Sequence, residues 1–135
     1  MFHLKRAHGA LFLVSALFAG SAYAETLKIA YIDPLSGAFA NVGEAGLKQF
    51  QFVIEDINKR NLTGGPKLEV VGFDNKISPQ ESLNVLKKEI DSGIRIITQG
   101  NGSSVAGALI DAVDKHNARN PDKTILYLNY AAVDP

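Results

Sequence analysis

Cysteine is absent from the 135-residue chain. That excludes disulfide staples, thiol nucleophiles and cysteine-bound metal, so a folded domain here is held by packing alone. Histidine is nearly as scarce, with three in all. His3 and His8 lie in an N-terminal leader, which leaves His116 as the one mature imidazole and excludes a histidine-built metal cluster. Nor is there an excess of either charge, with fourteen basic and fourteen acidic residues. A chain so balanced has no electrostatic footprint for nucleic acid or an anionic membrane. A membrane-length apolar run is missing too. The stretch Gly9 to Gly20 is too short to span a bilayer. Preceded by Lys5 and Arg6 and followed by Ala22-Tyr23-Ala24, it reads as a secretory signal peptide over residues 1–24. The mature chain is then expected to start at Glu25 and to act outside the cytoplasm. Loss of Lys5 and Arg6, with no acid removed, takes the net charge to −2.

What is present is an alternation of strand and helix. Leu27 to Ile32 is a short apolar run suited to a buried strand. Val42 to Arg60 carries Leu47, Phe50, Ile54 and Ile57 at helical spacing, with Lys48, Gln51, Glu55 and Lys59 opposite. Asn61 to Pro66 breaks that helix, and Lys67 to Asp74 forms a second strand. Ser78-Pro79-Gln80-Glu81 combines a capping serine, a first-turn proline and a glutamate three residues after the cap. The helix it opens buries Leu83, Leu86 and Ile90 and stops at Gly93. Ile94 to Thr98 is a third strand. Ser104 to Asn117 is a third helix with Ala106, Leu109, Ile110 and Val113 inward, and Thr124 to Leu128 is a fourth strand. This order predicts an α/β fold, a parallel sheet with helices on both faces.

In such sheets ligands bind beyond the carboxyl ends of the strands. The segment Gln99-Gly100-Asn101-Gly102-Ser103-Ser104 stands out there. Its glycines allow close backbone approach, and its hydroxyls open a helix whose free amides favour an anion such as a carboxylate or phosphate. Two readings stand open: Ser103 or Ser104 caps the third helix, or contacts a ligand, and one residue can do both. The segment is no dinucleotide fingerprint, because Val105 stands where a third glycine is needed. Asp33 and Asp74 end the first two strands and read as turn residues in preference to a Mg²⁺ pair. His116 reads as an exposed cap near the end of the third helix. Phe50, Phe52 and Phe73 read as core. Tyr127 and Tyr130 face opposite sides of an extended chain, one packing and the other facing the cleft.

The run Leu27 to Ile32, followed by Leu35-Ser36-Gly37 and Gly43, resembles the opening of the periplasmic branched-chain amino-acid-binding proteins of ABC transporters. Glu55-Asp56-Ile57-Asn58, Asp74-Asn75 with Pro79, Gly102-Ser103-Ser104 and Ala131-Ala132 follow in that family's order. The resemblance implies a type I periplasmic-binding fold, in which two α/β lobes enclose a small solute. It implies that residues 25–135 form an N-terminal lobe only, incomplete, and poor solubility with weak or no binding is expected of that lobe alone. It implies a carboxylate gripped at Ser103, with Ser104 beside it, and an amino group met by the Ala131 carbonyl. Val133 matches a position that supplies an amide and a threonine hydroxyl, and valine keeps only the amide. Val42 matches an aromatic residue of the first loop. These departures widen the expected solute from leucine, isoleucine or valine to related aromatic or short organic acids. Tyr130 completes the candidate ligand-binding set. The implied protein is periplasmic, monomeric at full length, without cofactor, and partnered by a membrane permease. A ligand-sensing domain of the same fold is the alternative. An exported α/β hydrolase is disfavoured by the absence of a G-x-S-x-G elbow and of a base near either serine.

Overall fold

The structure, a computed structural model, describes residues 26–133. The signal peptide expected over residues 1–24 lies outside them. Four strands and three helices alternate along the chain: β1 (Thr26–Asp33), α1 (Ala40–Lys59), β2 (Lys67–Asp74), α2 (Pro79–Asp91), β3 (Ile96–Gln99), α3 (Ser103–Arg119) and β4 (Leu126–Asn129). Single 3-10 turns, Gly37–Phe39 and Pro121–Lys123, lead into α1 and β4. All pairings are parallel and the strand order is β2-β1-β3-β4. The chain thus builds outward from β1 on one side, then crosses to the other. A topological switch point falls between β1 and β3, where open parallel sheets leave a crevice.

Alternation along each strand divides the core into two. Ala30 and Ile32 of β1 and Ile97 of β3 point towards α2 and α3, where they pack with Leu86, Val105, Leu109 and Val113. Tyr31 and Val70 point to the opposite face and pack against Leu47, Phe50 and Ile54 of α1. The start of α2 is set as its sequence demands. Ser78 is extended, its hydroxyl accepts the Glu81 amide at 3.3 Å, and Pro79 takes the first helical position.

Two expected core residues are outside. Phe52 is 75% exposed and Ile110 is 41% exposed. Phe52 sits roughly 200° around α1 from Phe50 and Ile54 at about 100° per residue, opposite the buried stripe. In α3 the inward stripe begins one residue earlier, at buried Val105, and runs through Ala106, Leu109 and Val113. Ile110 falls off its edge.

Candidate functional site

The connections leaving β1, β2, β3 and β4 meet at the carboxyl edge of the sheet, and buried polar side chains fix their shape. Asp33, the last residue of β1, is fully buried. Its carboxylate accepts the Asn101 amide at 2.9 Å, the Gly100 amide at 3.2 Å and the Tyr130 hydroxyl at 2.6 Å. The reading of Asp33 as a turn residue is therefore corrected: it is the buried last residue of β1, and with no solvent to serve it this carboxylate draws its donors from segments that arrive much later in the chain. Asp74 is closer to expectation. It accepts the Leu35 amide at 2.9 Å, the Ser36 hydroxyl at 2.5 Å and the Lys76 amide at 3.0 Å. Burial pushes the Asp74 carboxyl up, but these donors and the Lys76 charge outweigh it and hold the group below the usual carboxylate range. Next to it Lys76 and Ile77 both lie in the left-handed region, with φ of 52° and 56°. A β-branched residue there is strained. Buried Asn75 holds the kink by accepting the Ile77 amide at 2.9 Å.

The segment after β3 is gripped from both faces of the sheet. On one side the fully buried Gln99 amide donates to the Asn101 carbonyl at 2.6 Å, and Tyr127 donates its hydroxyl to Gln99 Oε1 at 2.8 Å. On the other side Tyr130 lies over Gly100, where an added Cβ would come within 2.4–2.6 Å of the ring. The expected opposition of the two tyrosines holds, and the structure assigns the roles: Tyr127 packs into the core and Tyr130 faces the cleft. Burial, then the Asp33 charge, pushes the Tyr127 hydroxyl up to about 12. Burial likewise pushes Tyr31 up to about 12, and Tyr130 rises well beyond the normal phenol range through burial and its bond to Asp33. Both stay neutral donors at any physiological pH.

Neither Ser103 nor Ser104 caps α3. The cap is Gly102, at φ 91°, whose carbonyl accepts the Val105 and Ala106 amides. A left-handed φ at this corner suits glycine, and it moves the helix start one residue ahead of the expected Ser104. Ser103 becomes the first helical residue and is half-buried, while Ser104 is exposed. Among the described residues neither hydroxyl has a hydrogen-bond partner, which leaves both at the positive end of α3. His116 is half-buried, with Nε2 3.0 Å from the Lys123 carbonyl; it braces the turn before β4 and does not cap the helix end.

Three of the other expected residues come together. Val42, Tyr130 and Ala131 line one cavity of about 410 Å³, with Asn41, Ala45, Gly46, Gln49 and Asn101. Val42 lies in the first turn of α1, not in a loop. Ser103 and Ser104 are outside this lining, joined to it through Asn101. Val133 is 89% exposed, at the end of the described chain. Among the described residues no charged side chain lines the cavity. A larger cavity, about 570 Å³, opens at the amino end of the sheet beside Lys28, Glu89 and Arg95. Size therefore does not single out the candidate site, which is chosen by its position at the switch point. Local sequence gave no sign of Asp33's partners or of Tyr31, because both act through contacts tens of residues away.

Residues 26–135 match the model of a family described as periplasmic binding protein. The chain belongs to the periplasmic binding protein family. It is 37% identical to Leu/Ile/Val-binding protein homolog 4 of Brucella abortus over 114 residues, which is 84% of this chain and 27% of the relative. It is 26% identical to the Leu/Ile/Val-binding protein of Escherichia coli K12 over 122 residues, 90% of this chain and 31% of that one. Among solved structures it superposes on the leucine-, isoleucine-, valine-, threonine- and alanine-binding protein of Brucella ovis in its closed conformation. That match has a TM-score of 0.74 and 37% identity, covering 81% of this chain and 28% of the other. The chain thus spans about a quarter to a third of the length of these binding proteins. The parallel four-stranded sheet and the type I fold agree with the sequence reading.

Proposed function

We propose that this chain forms the N-terminal lobe of an extracytoplasmic solute-binding component of an ABC importer, taking a small carboxylate-bearing solute into the cleft at the β1/β3 seam. One observation carries the reading. Gly102 caps α3 by backbone alone, its carbonyl taking the Val105 and Ala106 amides, and among the described residues the hydroxyls and amides of Ser103 and Ser104 are left without a partner at the carboxyl edge of the sheet. In a family of solute-binding proteins, a carboxylate fits that end. The Ala131 carbonyl and the Val133 amide are the remaining polar contacts of this half-site. Val42 and Val133, where the family pattern has an aromatic residue and a threonine, favour an aromatic or short organic acid alongside branched-chain amino acids. Export through the residue 1–24 leader and delivery to a membrane permease complete the reading.

The test is a thermal-shift screen of amino acids, aromatic acids and short organic acids against the mature form of the complete reading frame. A solute that binds only the folded state raises the melting temperature by mass action. A shift confined to carboxylate-bearing solutes is expected, with Ser103→Ala weakening affinity by about 10- to 100-fold, the size of a hydrogen bond to a charged group. No shift across the panel, or turnover of an ester substrate abolished by Ser103→Ala, would overturn the reading.

A further inference from the structure

Asp33 is poorly suited to a purely structural role. A fully buried carboxylate is costly to desolvate, and apolar replacements of buried charges are often neutral or stabilising. Among the described residues no lysine, arginine or histidine pairs with it; its partners are two backbone amides and one phenol. Those donors belong to two segments that converge on the cleft, 67 to 97 residues along the chain.

The phenol is the informative partner. The Tyr130 hydroxyl donates to Asp33, accepts from Asn101 Nδ2 at 3.1 Å and lies 2.8 Å from the Tyr31 hydroxyl. Tyr31 in turn donates to the Gly43 carbonyl of α1 at 2.8 Å. The Tyr130 ring stacks on Tyr31 at 6.0 Å and meets the edge of Phe50 at 5.4 Å. Gly46 leaves room for both hydroxyls, since a Cβ there would lie 2.3 Å from that of Tyr31 and 3.0 Å from that of Tyr130. Yet Tyr130 remains 39% exposed and forms one wall of the cavity beside Val42 and Ala131. Its hydroxyl is committed inward, so a solute meets the ring and not a hydrogen-bonding group.

We propose that Asp33 is a positioning residue that sets solute specificity through Tyr130, fixing the aromatic wall against which an uncharged, planar body of a carboxylate solute packs. The inference rests on the solute-binding reading above. Its test is calorimetric titration of the mature, complete protein with benzoate, leucine and succinate. The variants are Asp33→Asn, Tyr130→Phe and the double substitution. Each single change is expected to shift the benzoate-to-leucine affinity ratio by about tenfold, with the double variant no worse than either single one, because residues acting as one unit are not additive. Lowered melting temperature with unchanged affinity ratios would make Asp33 merely structural and overturn the proposal, as would strictly additive losses. Should Asp33→Asn fail to fold, an unaltered ratio in Tyr130→Phe overturns it equally. Absence of binding by the unaltered protein to any of the three probes and to the wider panel is a separate outcome, which removes the solute-binding reading itself.

Discussion

The two faces of the sheet are built on different chemistry. Towards α2 and α3 the chain buries nine aliphatic residues, from Ala30 and Ile32 to Val113 and Ile125, in one cluster. Towards α1 the buried hydrophobic cluster among the described residues is three residues, Tyr31, Ile54 and Val70. There Leu126 and Leu128 of β4 stay 53% and 44% exposed, and aromatic rings carry hydroxyls into the interior. The aliphatic face supplies cohesion through area removed from water. The aromatic face supplies position, because hydrogen bonds and ring contacts fix orientation in a way that aliphatic packing does not. The cleft lies on the face that is less well sealed.

A leucine deletion on each face gives the largest expected contrast. Leu109→Ala removes a fully buried side chain and should cost about 2–5 kcal/mol in denaturant unfolding. Leu128→Ala should cost under about 1 kcal/mol, since nearly half of that side chain is already in water. Equal losses would mean that the α1 face is covered in solution, and the contrast would fail. A smaller effect is expected at the seam. Gly100→Ala drives a methyl group into the Tyr130 ring, at an expected cost of about 1–3 kcal/mol. In a Tyr130→Ala background the same glycine change should cost far less than in the unaltered protein; an undiminished cost would show that the glycine serves its own backbone and not the ring. The smallest effect is at Asp74. Its folded-state carboxyl sits below the usual range, so the stability it contributes is fully present above the unfolded value of about 3.9 and is lost as pH falls through the folded one. Unfolding curves across pH 5 to roughly pH 2 should therefore fall more steeply for the unaltered protein than for Asp74→Asn. Parallel curves would remove Asp74 from the acid response.

The elements were legible because their signals are local. The Ser78-Pro79 cap, the Leu47-Phe50-Ile54 stripe and the turn at Asn61 to Pro66 each act within a few residues, and each appears where expected. Boundaries moved where a backbone dihedral decided them: Gly102 at φ 91° turned Ser103 from a capping candidate into the first helical residue. The site was legible only in part. Strand order pointed to the carboxyl edge, and Val42, Tyr130 and Ala131 line one cavity there. Asp33, Tyr31 and the double grip on Gly100 and Asn101 were not legible, because burial and partner choice there depend on segments brought together only by the finished sheet. Phe52 shows the reverse limit: an aromatic residue invites a core reading, and its angle around the helix overrules it.

The strand order also has a kinetic meaning. β1, the first strand in the described chain, ends in the middle of the sheet, and its pairing of Ile29 with Ile96 closes a loop of 67 residues. Non-local parallel pairing slows folding, because chain entropy is lost before contacts repay it. The cleft sits on that same β1/β3 seam. The candidate cleft therefore exists only after the longest central closure is made, so its shape is itself a marker that the β1/β3 seam has formed.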